Sequence, residues 1–284
     1  MLKRMPSRRR GLTWAQHIAT HAILLTYTAI AMFPVLLVII NSVKSRRAIF
    51  SSPFALPSSD TWDIVGYQTV FRNARFEVYF GNSLTVTIVS LLLILLVSSM
   101  AAHALAEYHF PGNALLGLYL AIGIMIPIRL GTVSILRLML ALRLTDTLWS
   151  LILVYTAQGI PLAVFILTQF MRQVPKDLKD AARIDGASEY RIYWLVLPLV
   201  RPALGTVAVF NMIPIWNDLW FPLILASSDN VKTVILGAQV FLGQYVNDWN
   251  AVLASLTLAM LPIVLLYIVF SRQLIRGLTA GAIK

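Results

Sequence analysis

An all-α membrane protein with six transmembrane helices is the fold class this sequence predicts, on three observations. First, 58% of the 284 residues are hydrophobic and only 12% are charged. Soluble domains carry about 45–50% apolar and about 25% charged residues, so a soluble enzyme is the wrong class. Second, the mean hydropathy is +0.78, and the apolar residues gather in six runs, each long enough to cross the roughly 30 Å hydrocarbon layer as a helix. Third, there is no cysteine and only four histidines, without HExxH spacing. Disulfide scaffolds, thiolate catalysis and cysteine-based metal sites are thereby excluded, and no zinc site is expected. No cofactor is expected.

The chain opens on a basic segment, 1–16, followed by the first span at 17–40. That apolar run is too long for a signal peptide and lacks a small-residue cleavage site, so it reads as a retained anchor. An extracytoplasmic loop, 41–83, contains SSPFALPSSD, and its end spaces aromatics like a short amphipathic helix lying on the bilayer surface. The remaining spans are expected at 84–106, 114–136, 148–171, 199–226 and 251–270, inside a core unit of 78–271, with a basic tail at 272–284. Pro111-Gly112 marks the turn between the second and third spans.

Six spans place both termini on one side. With the N-terminus inside, 14 basic residues are cytoplasmic, including Arg8, Arg9, Arg10, Arg172, Lys176, Lys179, Arg183 and Arg191, against seven outside. The positive-inside rule therefore puts both termini in the cytoplasm of a cell whose inner membrane this chain spans. The net charge of +11 fits such loops and anionic headgroups. No nucleic-acid-binding motif accompanies it.

The most charged interior stretch is a cytoplasmic loop, 175–197, between the fourth and fifth spans. Pro175 suits a helix start. Lys176–Ile184 reads as a short helix carrying the small pair Ala181-Ala182, Gly186 after Asp185 stops it, and Ser188 caps a second short helix. Small residues on such an elbow let another protein's backbone approach closely, while the flanking charges orient it. Inside the membrane, ionisable groups are functional candidates by default. Arg129 follows Pro127 in the third span, roughly 10 Å short of the outer end on a straight helix. The fifth span carries Asn211, Trp216, Asn217 and Asp218, an indole, amides and a carboxylate of the kind that hold sugar hydroxyls. Both sets have plainer readings: headgroup snorkelling for Arg129, and interhelical hydrogen bonds or an interfacial belt for the others.

Asp180-Ala181-Ala182, Asp185-Gly186 and Leu197-Pro198 resemble the EAA loop of ABC-importer inner-membrane permeases, and DAARIDGAS resembles their maltose-type carbohydrate branch, the second-permease subunit in particular. Asn82-Ser83-Leu84, Phe110-Pro111-Gly112, Trp216-Asn217-Asp218, Phe221-Pro222-Leu223 and Gly277-Leu278-Thr279-Ala280-Gly281 agree with it, so the resemblance runs from about Tyr67 to Lys284. Asp180 stands where that family has Glu, and the stretch from Gly186 to Leu197-Pro198 is one residue shorter than its pattern.

The resemblance implies a type I ABC-importer permease fold and a non-catalytic permease subunit in binding-protein-dependent sugar import. Its implied partners are a homologous second permease subunit, two copies of an ABC ATPase and an extracytoplasmic solute-binding protein met by the loop 227–250. It assigns Asp180, Ala181, Ala182, Asp185, Gly186, Leu197 and Pro198 to ATPase coupling, with force on the elbow driving alternating access. The chain has no GxxxxGK[ST] and no Gly-Lys pair, so ATP phosphates must be cradled by another polypeptide. The substrate is a sugar or an anionic derivative of one (phosphate, acid or sulfonate) facing Arg129. A secondary transporter or channel driven by an ion gradient is the reading from another class, and it requires intramembrane carboxylates and internal symmetry.

Overall fold

The structure, a computed structural model, describes residues 14–73, 75–242 and 248–280; side chains beyond 268 lie outside the description. The basic N-terminal stretch, Tyr245 of the loop 227–250 and the end of the C-terminal tail therefore lie outside the described residues. In chain order the elements are α1 (Trp14–Ser42), α2 (Arg46–Ser51), α3 (Val65–Asn73), α4 (Phe76–Glu107), α5 (Asn113–Met125), a 3₁₀ turn (Ile128–Gly131), α6 (Thr132–Ala141), α7 (Leu148–Met171), α8 (Lys176–Ile184), α9 (Glu189–Leu199), α10 (Arg201–Asn217), α11 (Trp220–Leu225), α12 (Val234–Ala238), a second 3₁₀ turn (Gln239–Phe241) and α13 (Trp249–Ala280). Among the described residues there is no strand; Lys44 and Trp62 form an isolated antiparallel bridge.

Among the described residues, three helices, α1, α4 and α7, are long and apolar enough to cross a bilayer alone. Two bent pairs, α5 with the segment 128–141 and α9 with α10, pass the same test together, and α13 contributes the apolar stretch Trp249–Leu265. The core is built on α4 against α7. Ile94, Leu151, Leu167 and Ala163 are fully buried there, and Ile192, Val196 and Val207 close it from α9 and α10. A second cluster joins Val70, Phe76, Trp216, Ala251 and Ala254. In a bilayer such packing depends on close fit rather than on water exclusion.

Four expectations change. The third span is not a straight helix over 114–136: its two halves meet at 86°. Pro127 drives Ile126 out of the α region, to ψ 116°, and removes an amide the helix would need. The fifth span does not run from 199 to 226. Its helix pair breaks at Val200 with a 74° bend, Pro202 sits in the first turn of α10, and α10 ends at Asn217, passing through Pro214. The second span begins at Phe76 rather than at residue 84, so part of the expected loop belongs to α4. The amphipathic stretch before it, α3, packs on α13 rather than lying bare on the bilayer: Val70 is fully buried, and Gly66 leaves room for the Asn250 carbonyl, where any side chain would collide.

The window of α1 that meets the membrane criterion has none of its residues buried. Its end is held instead by Lys44, itself fully buried. The Lys44 ammonium donates to Asn41 Oδ1 at 3.1 Å, Ser52 O at 3.0 Å and Pro53 O at 3.3 Å, and its carbonyl accepts from Asn250 Nδ2 at 2.6 Å. Burial pushes the Lys44 amine below its usual range.

Candidate functional site

Two polar centres stand out, at opposite ends of the bundle's central helices. The first is the elbow. α8 follows Pro175 and ends in a Schellman motif: Gly186 N–H donates to Arg183 O at 3.0 Å and Ala187 N–H to Ala182 O at 2.9 Å. Gly186 takes φ +77°, a conformation glycine adopts without penalty. Ser188 Oγ then accepts from Arg191 N–H at 3.4 Å and caps α9.

The elbow is bolted to the end of α4. Glu107 accepts from both Lys179 and Arg183, the latter at 2.7 Å. Arg183 spreads the rest of its fork onto Asp180 at 2.8 Å and Glu189 at 2.9 Å, and Tyr108 OH donates to Glu189 at 2.9 Å. These carboxylates hold the Arg183 guanidinium even further above neutral pH than usual. Lys179 and Glu107 are nearly buried, at 6% and 10% side-chain exposure, so their charges are little screened.

The opposite face of α8 is bare and carries an apolar ridge beside the exposed Asp177. Leu178, Ala181 and Ile184 recur every third residue, all exposed, and Ile184 is 86% exposed. Asp180, Asp185, Gly186 and Pro198 are exposed as well, whereas Ala182 packs partly onto the core. Leu197 is half-buried, and Pro198 lies inside the last turn of α9. The sequence-chosen coupling residues thus split into an outer face and an inner hinge. Glu107, Lys179, Arg183 and Glu189 were not singled out from sequence, because the partners of Glu107 lie more than seventy residues away.

The second centre surrounds the break after α5. Arg129, 65% exposed, reaches Asp218 at 3.4 Å and lies 5.8 Å from the centre of the Trp220 ring, within cation–π range. Trp220 Nε1 donates to Thr132 Oγ1 at 3.0 Å. Asp218 also accepts from Tyr155 OH at 2.9 Å and from the Phe221 amide at 3.1 Å. Its oxygens are therefore committed to protein donors, unlike those of a carboxylate that would bind and release a coupling ion.

The other residues chosen from sequence lie apart from this centre. Trp216 is 3% exposed; its indole N–H donates to Ala259 O at 3.0 Å and its ring meets Phe80. Asn211 is buried and donates to Val207 O at 2.9 Å. Asn217 is exposed, with Nδ2 turned to Ile213 O at 3.0 Å. Trp220 and Thr132 join the centre unselected. Position offered a signal for both, since each lies within three residues of Asp218 or Arg129.

Comparison with known proteins adds the lineage. Residues 94–280 match the family model described as a binding-protein-dependent transport system inner membrane component. The chain is 36% identical over 260 residues to the arabinooligosaccharides transport system permease protein AraQ of Halalkalibacterium halodurans, covering 90% of this chain and 92% of that one. It is 32% identical over 268 residues to the diacetylchitobiose uptake system permease protein NgcG of Streptomyces coelicolor, covering 93% and 88%. Its fold resembles a chain in the crystal structure of a bacterial ABC transporter involved in import of the acidic polysaccharide alginate, with a TM-score of 0.79 at 20% identity, over 92% of this chain and 98% of that one.

Proposed function

The chain belongs to the inner-membrane permeases of binding-protein-dependent ABC transport systems, and from that premise we propose that it is one half of the translocation pathway of a sugar importer, driven through its α8–α9 elbow by separate ATPase subunits. The observation that carries this reading is the elbow itself. A short helix clamped to α4 by Glu107 presents an apolar ridge, Leu178, Ala181 and Ile184, with nothing of its own chain upon it. An exposed isoleucine next to a rigid ion-pair network is what a force-bearing joint needs: apolar area for a partner's groove, and a base that does not yield.

The assembly we infer has a homologous permease beside this one, two ATPase subunits under the elbows, and an extracytoplasmic binding protein delivering substrate. Both termini are cytoplasmic. ATP-driven closure of the ATPases pushes on Asp180–Gly186, the permease pair opens outward, and hydrolysis resets it. Phosphate chemistry belongs to the ATPases, and this chain transmits the motion.

Substrate recognition is assigned to the second centre, with Arg129 offering donors, Trp220 an aromatic face, and Asp218 positioning Arg129. Because Asp218 offsets the guanidinium charge, a neutral saccharide suits this centre better than a phosphorylated, sulfonated or acidic one. The permease names of the relatives support the sugar class.

The test is reconstitution with the ATPase subunits in proteoliposomes carrying Ile184→Asp. The expected result is normal insertion with loss of ATPase binding and of uptake. Uptake at the level of the unmodified protein, or uptake by this chain alone on an ion gradient, overturns the reading.

A further inference from the structure

We propose that the groove running from between α5 and α7 to the foot of α8 binds an anionic phospholipid of the leaflet on the α8 side. Two joined hollows form it. The inner one, of about 320 Å³, is mostly apolar, lined by Leu118, Ala121, Val164 and Phe165 among others, with Thr168 and Gln169 as polar interruptions. It opens, through shared walls at Leu105, Ala114 and Arg172, into a wider hollow of about 1120 Å³. The walls of the inner hollow belong to helices that cross the bilayer, so hydrocarbon is its natural content.

The outer hollow is cationic once its ion pairs are counted. Glu107 is taken by Lys179 and Arg183, and Asp180 by Arg183. Arg172 and Lys176 line the same space, both exposed, and no carboxylate among the described residues pairs with either. Asn113 turns its amide onto the Leu105 and Tyr108 carbonyls, at 3.3 and 2.7 Å, and so stays on the wall. A slot of hydrocarbon width ending at two uncompensated cations matches a ligand with an acyl tail and a negative head. A guanidinium grips a phosphodiester through two parallel N–H donors, and the ammonium adds a point charge. A zwitterionic headgroup brings its own cation and forfeits this attraction. A soluble phosphate meets the cations and leaves the slot empty. Lys176 is the first residue of α8, so an occupying headgroup bears directly on the foot of the elbow.

Native mass spectrometry of the protein, purified in detergent with its co-purifying subunits, tests the assignment. Phosphatidylglycerol, phosphatidylcholine and glycerol 3-phosphate are the probes. Phosphatidylglycerol is expected to be retained at least about fivefold more than phosphatidylcholine, and Arg172→Gln and Lys176→Gln each to lower its retention about fivefold, the worth of one basic residue near a charged headgroup. Gly117→Phe supplies an independent arm. A Cβ at Gly117 meets no atom within 4 Å, and Gly117 lines the inner hollow, so a ring there has the slot to fill and phosphatidylglycerol retention should fall while the cations stay in place. Equal retention of the two lipids overturns the proposal. So does unchanged retention in the variants, or displacement of phosphatidylglycerol by glycerol 3-phosphate. The readout is lipid retention and needs neither uptake nor ATP hydrolysis, so it stands or falls separately from the Ile184→Asp experiment.

Discussion

The elbow and the Arg129 centre are both built around an arginine and a carboxylate, yet they differ in stiffness. At the elbow, one nearly buried glutamate receives two cations and Arg183 shares itself among three carboxylates. At the other centre, one long contact of 3.4 Å joins a mostly exposed Arg129 to Asp218. A joint that transmits force requires charges that cannot swing free. A surface that meets a passing solute requires donors that can. On the proposed function, the contrast teaches that the same residue types serve as a rivet or as a ligand contact, according to how far the arginine is buried and how many partners it has.

The strongest way to break this contrast is to cut the rivet. Glu107→Gln leaves Lys179 without a counter-ion in a nearly closed site, which should cost about 3 kcal/mol and abolish ATP-dependent uptake. Thermal unfolding in detergent and proteoliposome uptake read the two effects. If stiffness rather than charge is what matters, Glu107→Leu combined with Lys179→Met should recover much of the stability.

A smaller effect on the fold, though not on transport, is expected at the outer face. Ala181→Asp changes an exposed position, so stability should move by less than about 0.5 kcal/mol. Uptake should nevertheless fall together with ATPase association, measured by co-purification. Full uptake in this variant would remove the ridge from the joint.

At the second centre, Arg129→Gln breaks a single pair whose carboxylate is only 9% exposed but keeps the Tyr155 hydroxyl and the Phe221 amide as donors, so the change should cost about 1 kcal/mol. Its signature is a raised KM for sugar uptake, with basal ATP hydrolysis unchanged. An unchanged KM would make Arg129 a snorkelling residue.

The smallest effect concerns Asp146, in the loop between α6 and α7. It accepts the Ser228 amide at 2.8 Å, and this hydrogen bond holds its carboxyl below the usual aspartate range. A depressed folded-state pKa stabilises above the ordinary value and is lost as pH falls through the lowered one. Wild type and Asp146→Asn should therefore differ slightly at neutral pH and converge below about pH 4, as thermal melts across that interval would show. Asn tolerates the positive φ found there, +59°, so the comparison isolates charge from backbone strain.

Much of the elbow was legible in the chain, because its signals are local. Pro175, Gly186 and Ser188 each act within a few residues, and α8 covers Lys176–Ile184 as their spacing implies. The bends were harder to read. Pro127 was visible, but whether a proline kinks a helix or ends it depends on what surrounds it, and here it ends one. Least legible was the Glu107 network, since no periodicity links the end of α4 to a helix seventy residues later. Trp216 misled for a related reason. An indole beside Asn217 and Asp218 looks like a sugar platform in one dimension, and the turn of α10 points it instead at Phe80 and Ala259.

Lys44 gives α1 an unusual character: a bare outrigger with a locked root. Residues 16–34 of the helix are exposed, while its far end packs against α13, and one ammonium gripped by three oxygens helps to set the angle at which the helix leaves the chain. Any surface lying alongside α1 must conform to that angle. A change as small as Lys44→Met should let the whole boom sweep, loosening an association many ångströms from the altered atom.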